Sequence, residues 1–136
     1  MYTINIWSII VSSIVSFCIS SIWYSPIMFG KEWMSLVKIS KNDVDAMKSS
    51  KVFTSYIIHF VATIVSLSIL GFAISAIGVQ NATDGAFIGF FAWLGFVAPF
   101  GVGDYIWRKS PARLVLIDSI SVLLTLVVGG AIIAMW

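Results

Sequence analysis

Residues 52–83 read VFTSYIIHFVATIVSLSILGFAISAIGVQNAT, a stretch without Asp, Glu, Lys or Arg. A helix rises about 1.5 Å per residue, so about 20 apolar residues cross a hydrocarbon core of roughly 30 Å. This run is long enough to cross once and then turn at Val79, Gln80 and Asn81. Working outward, residues 1–30, 85–103 and 119–136 are also free of charge, and the last run extends back to Ala112 if Arg113 snorkels and Asp118 is tolerated. The runs predict four spans, near Ile4–Tyr24, Phe53–Ile77, Ala86–Ile106 and Ala112–Ile133. Backbone groups in lipid must pair within their own segment, and no ten-residue alternating strands are present, so the spans are helices. The expected fold is all-α, a polytopic membrane protein with four transmembrane helices in a compact bundle, one domain over residues 1–136.

Composition points the same way. Of 136 residues, 60% are hydrophobic and 10% charged, against roughly half and a quarter in soluble domains. That excludes a soluble globular protein. One cysteine excludes a disulfide scaffold, and ten phenylalanines with six tryptophans exclude a disordered tail.

Loop charge sets the expected orientation. Lys31, Lys38, Lys41, Lys48 and Lys51 lie between the first two spans, and Arg108, Lys109 and Arg113 between the last two. The loop 78–84 and both ends carry no Lys or Arg. By the positive-inside rule the basic loops are cytoplasmic and both termini outside, in a bacterial inner membrane. Aromatic residues agree: Trp7 and Trp136 fall at the outer interface, and Trp23, Tyr24, Trp33, Tyr105 and Trp107 at the inner one. Trp93 falls mid-span. The first span lacks a basic n-region and reads as retained, not as a cleaved signal. Cys18, preceded by bulky Phe17, reads as a buried inert thiol.

The segment 31–51 is expected to hold a short interfacial helix over Lys31–Ile39, then a second helix capped by Ser40 and Asp43 ahead of Val44 and Met47. Small residues recur every four positions at Ser8, Ser12, Ser16 and Ser20, at Gly85 and Gly89, and at Gly130 and Ala134, where backbones can approach closely. Ser55, His59, Thr63, Gly71 and Ser75 form a polar stripe expected to face protein. Pro99 with Gly95 is expected to kink the third span.

Three ionisable residues lie within the spans or at their edges. His59 comes eight residues after Lys51, Asp104 four before Arg108, and Asp118 five after Arg113. Their depths are similar, roughly 6–12 Å from the inner surface, so they are expected to share one layer. Asp104 has an i, i+4 partner in Arg108. Asp118 has none at that spacing, so it requires a partner from another helix: an Arg, Lys, His or Ser if its role is structural, otherwise a proton or cation. Intramembrane acids are candidate sites because they are costly. Asp118, Asp104, His59, Tyr24 and Arg108 form the candidate polar or ion site.

Catalytic templates are not found: G-x-S-x-G, a phosphate loop and H-E-x-x-H are all missing from the sequence. No enzyme activity, metal, cofactor or nucleic-acid partner is expected.

The segment Trp23-Tyr24-Ser25-Pro26-Ile27-Met28-Phe29-Gly30-Lys31-Glu32-Trp33-Met34 resembles the signature of a family of small bacterial four-helix membrane proteins known only as a domain of unknown function. Trp93–Pro99 and Gly130–Trp136 are similar too. The resemblance implies the same four-span fold and supplies no activity. Physically, the motif reads as an elbow: Trp23, Tyr24 and Trp33 anchor the interface, Ser25 before Pro26 leaves the helix, and Gly30 turns the chain before Lys31. The alternative is a loop folded over the acidic layer, with Tyr24 or Lys31 as partner. Two functions stay open. One is a non-enzymatic protein acting through helix packing or partner binding in the bilayer, including as a homo-oligomer. The other is a small oligomeric transporter or channel in which Asp118, Asp104 and His59 handle protons or cations.

Overall fold

The structure is a computed structural model that describes residues 4–136; Met1 to Thr3, which open the first charge-free run, lie outside the described residues. Among the described residues the chain forms seven α-helices and no strand: α1 (Ile6–Trp23), α2 (Gly30–Leu36), α3 (Lys41–Ala46), α4 (Ser49–Ile77), α5 (Ala82–Phe96), α6 (Ala98–Ile106) and α7 (Ala112–Met135). α1, α4, the α5–α6 pair and α7 are each long and apolar enough to cross a membrane. They occupy the four predicted stretches.

The boundaries differ where capping, not hydropathy, decides them. α5 starts at Ala82, a turn earlier than expected, because Asn81 caps it: its Oδ1 accepts from the Asp84 N–H at 2.9 Å and its Nδ2 donates to the Asp84 carboxylate at 2.7 Å. α4 likewise begins a turn early, at Ser49, on polar residues that a hydropathy boundary leaves out. α4 closes on Gly78, whose φ of 83° is left-handed and whose N–H reaches the Ile74 carbonyl at 3.0 Å. The third stretch is two helices rather than one kinked helix. Pro99 has no N–H for the Gly95 carbonyl, and the chain breaks at Val97 between α5 and α6. In the loop, α2 and α3 are the two short helices expected, α2 ending at Leu36 ahead of Ile39, and the Ser40–Asp43 capping box forms in both directions.

α7 is the centre of the bundle, packing on α1, α4, α5, α6 and α2. Its closest partner is α5. A Cβ added to Gly85 would strike the Gly130 backbone and Ala134, and one added to Gly89 would strike the Leu126 backbone. The two small-residue stripes therefore meet each other. The serine stripe of α1 also faces protein: Ser8, Ser12, Ser13, Ser16 and Ser20 are all buried. Ser8 and Ser12 donate to the Asn5 and Ile9 carbonyls, whereas the hydroxyls of Ser13 and Ser16 have no partner among the described residues.

The apolar core lies toward the Gly78 end, where Ile9, Leu67, Leu70, Ile74, Ile133 and Ala134 pack together. The polar stripe of α4 is accordingly divided. Thr63 and Gly71 are buried, but no residue of α4 before Thr63 is, so Ser55 and His59 are exposed instead of facing protein. At the basic end Trp23 and Tyr24 bond to α7 and the Phe17 ring meets Tyr56 and Phe60, while the rest of this part of α4 stays uncovered. Cys18 is exposed on that open side, not buried as expected.

Candidate functional site

At the basic end the helices are held by hydrogen bonds. α1 ends at Trp23 with Tyr24 as its C-cap, two residues ahead of Pro26. The chain doubles back within six residues: the Phe29 N–H reaches the Trp23 carbonyl and the Gly30 N–H the Ser25 carbonyl, both at 3.0 Å. A side chain at Gly30 would collide with the Tyr24 carbonyl and the Ser25 backbone, so the turn requires glycine. This elbow lays α2 against α7.

The result is a clamp on Asp118. The Tyr24 hydroxyl donates to Asp118 Oδ1 at 2.8 Å, and the Trp33 indole N–H donates to the same oxygen at 2.9 Å. The two donor rings meet edge to face with centroids 5.7 Å apart. One residue earlier, the Trp23 indole donates to the Ile117 carbonyl at 3.1 Å, with its ring against Phe29. One residue later, Trp93 of α5 donates to the Ser119 carbonyl at 2.7 Å. Three indoles thus converge on residues 117–119. The partners of Asp118 are a phenol and an indole rather than the Arg, Lys, His or Ser expected, and Tyr24 supplies one of them as the fold-back alternative anticipated. Lys31 is exposed and Pro26 lies on the outside of the turn.

Outside the clamp, Arg113 Nε donates to Glu32 Oε1 at 2.6 Å, tying α7 to α2 again. Arg113 holds the Glu32 carboxyl below its ordinary range. The Ser40 hydroxyl and backbone N–H do the same for Asp43.

Asp104 and Asp118 line one recess of about 220 Å³ between α6 and α7. Asp104 makes its i, i+4 contact with Arg108 at 3.5 Å, both side chains substantially exposed. His59 does not join this layer. It faces Phe17 at a ring separation of 6.3 Å and lines a separate recess with Ser20, Ser21, Tyr24 and Tyr56. Depth fixes only one coordinate, and α4 turns His59 toward Phe17 and away from the recess shared by Asp104 and Asp118. Among the described residues, no group of three or more His, Cys, Asp or Glu is placed to hold a metal ion. Gly95 sits just before the helix break with open space beside it.

The clamp uses residues the sequence shows only partly. Trp33 reads as an interface anchor, and its bond to a residue 85 positions away carries no local signal. Trp93 stands out in the sequence only by its mid-span position. Chemically, the arrangement fixes one carboxylate oxygen with two neutral donors, an assembly suited to holding the elbow in place.

Neither the curated proteins nor the solved structures yield a match to this chain. The family profile that does match covers residues 7–134, so the chain belongs to the family described as "Protein of unknown function (DUF1761)".

Proposed function

We propose that this is a multi-pass protein of the bacterial inner membrane that performs no catalysis and acts through helix packing and partner binding, including association with a second copy. In this reading the basic loops are cytoplasmic, and both termini and the Gly78 turn lie outside. The observation that carries the reading is the engagement of Asp118 by Tyr24 and Trp33 of its own chain. An acid committed to a phenol and an indole serves the fold, while large side chains such as Phe53, Ile69, Phe91 and Phe96 point outward for lipid or a partner. The test is flux through liposomes holding the purified protein under proton, sodium and potassium gradients, with Asp118→Asn beside the parent. No gradient-driven flux is expected. A flux that the substitution abolishes, in protein that still folds and inserts, overturns the reading.

One observation favours a second reading, an oligomeric transporter or channel: Asp104 and Asp118 share a recess. In that case the two carboxylates handle the proton or cation without His59, and the same flux measurement decides.

A further inference from the structure

α1 and α4 are packed along their Gly78-side halves and open toward the basic end, where no residue of α4 before Thr63 is buried. The opening measures about 550 Å³. Phe17 of α1 stands edge-on to Tyr56 and Phe60 of α4, with centroids 6.2 and 5.4 Å apart, and these rings form its walls. Beside it, still bordered by Phe17 and Tyr56, a recess of about 120 Å³ turns polar with Ser21, Tyr24 and His59. On α1 the lining is graded, apolar at Ile14 and Phe17 and hydrogen-bonding at Ser21 and Tyr24 toward the basic end, and Tyr56 and His59 of α4 face the polar recess.

A phenol and an imidazole exposed at this depth need polar partners that hydrocarbon cannot supply. The occupant must be apolar along its length and accept hydrogen bonds at one end. The neighbouring charge narrows it further. Lys48 caps α4 and Lys51 lies in its first turn, both exposed. Of the three acids in the same segment, Glu32 is paired with Arg113, which leaves Asp43 and Asp45 against the five lysines of residues 31–51.

We propose that the cleft between α1 and the basic-end half of α4 binds an anionic phospholipid. An acyl chain lies against Ile14, Phe17 and Phe60, the phosphodiester accepts from Tyr56 and His59, and Lys51 and Lys48, roughly one to three turns nearer the basic end, offset its charge. Each lysine near such a headgroup tightens binding roughly fivefold. This site rests on the membrane reading above.

Cys18 lines the cleft and is exposed, so its alkylation reports occupancy. The full chain in a nonionic detergent is treated with a fluorescent maleimide, with added dioleoyl phosphatidylglycerol or dioleoyl phosphatidylcholine at equal mole fraction. Phosphatidylglycerol is expected to slow labelling at least fivefold more than phosphatidylcholine. The double variant Lys48→Gln/Lys51→Gln, altered only at exposed positions, brings the two lipids within twofold, and His59→Leu weakens the protection by phosphatidylglycerol. Equal slowing by both lipids overturns the proposal, as does full discrimination in the double variant. So does protection that rises with protein concentration in the absence of lipid, accompanied by a Cys18–Cys18 disulfide on oxidation, which identifies a second copy as the occupant. Flotation with alkaline-washed liposomes reports insertion separately: protein that fails to float removes the membrane reading, while protein that floats and treats both lipids alike loses only this site.

Discussion

Gly89→Ala adds one carbon where α5 crosses α7. That carbon would run into the carbonyl of Leu126 and stand 3.0 Å from the Val127 nitrogen, all backbone atoms of α7 that cannot swing aside. α5 must retreat by about 1 Å to restore a normal separation. Overpacking of this kind costs about 1–3 kcal/mol, while exchanging glycine for alanine in a helix returns about 1 kcal/mol. Gly95→Ala on the same helix is the internal control, because nothing lies within 4 Å of its added carbon. The propensity gain is common to both variants and cancels in the comparison. Gly89→Ala is therefore expected to be less stable than Gly95→Ala by about 1–3 kcal/mol, a factor of roughly 5 to 150 in the unfolding equilibrium. Unfolding of the full chain in mixed dodecyl maltoside and dodecyl sulfate micelles, followed by tryptophan emission, measures the difference. Trp93 is the natural reporter, since its bond to Ser119 bridges the same two helices. Equal stability of the two variants would refute the reasoning that the α5–α7 contact depends on absent side chains.

Asp118→Leu strands the Tyr24 and Trp33 donors, at about 1–3 kcal/mol for each buried group left unpaired, whereas Asp118→Asn keeps an accepting oxygen; trypsin cleavage within 31–51 should accelerate in the leucine variant and change little in the asparagine one. Because Arg113 holds the Glu32 carboxyl below its ordinary range, the stability this pair adds is complete above the unfolded value of about 4.3 and is lost as pH falls through the lower folded value; a carbon-13 titration of Glu32 should show the depressed midpoint and its return to the ordinary range in Arg113→Gln. Ser13→Ala removes a buried hydroxyl that has no partner among the described residues and should leave stability unchanged or raise it, and a loss above about 1 kcal/mol in the same unfolding assay would show that the hydroxyl is paired. Cysteines introduced at Gln80 and Lys109 in a Cys18→Ser background should label from opposite sides of the membrane, with Lys109 protected from an impermeant reagent in intact cells.

Much of the architecture is legible because the solvent imposes it. Runs without charge mark the long helices to within about a turn, and the four-residue spacing of Gly85, Gly89, Gly130 and Ala134 identifies the faces that touch. What periodicity leaves open is which face meets which neighbour. His59 illustrates the limit: its depth resembles that of Asp118, yet α4 turns it toward Phe17. Ser55 shows a related limit, since a polar stripe reads as continuous although α4 is packed along only part of its length. The elbow was visible in Trp23, Tyr24, Pro26 and Gly30, all local signals. The bonds that give it a purpose, from Trp33 to Asp118 and from Arg113 to Glu32, join residues more than 80 positions apart and have no local signature.

The convergence of three indoles on residues 117–119 bears on how the chain is made. Trp23, Trp33 and Trp93 all emerge from the ribosome before the helix that accepts them, and α7 is also the helix on which α1, α2, α4, α5 and α6 pack. Synthesis proceeds from the N-terminus. The helices made earlier therefore lack their common partner, and the three indoles their acceptors, until α7 has been synthesised. A nascent chain stalled before Ala112 would present quality control with helices that lack their shared partner, so the arrival of α7 is the step that joins them into one structure.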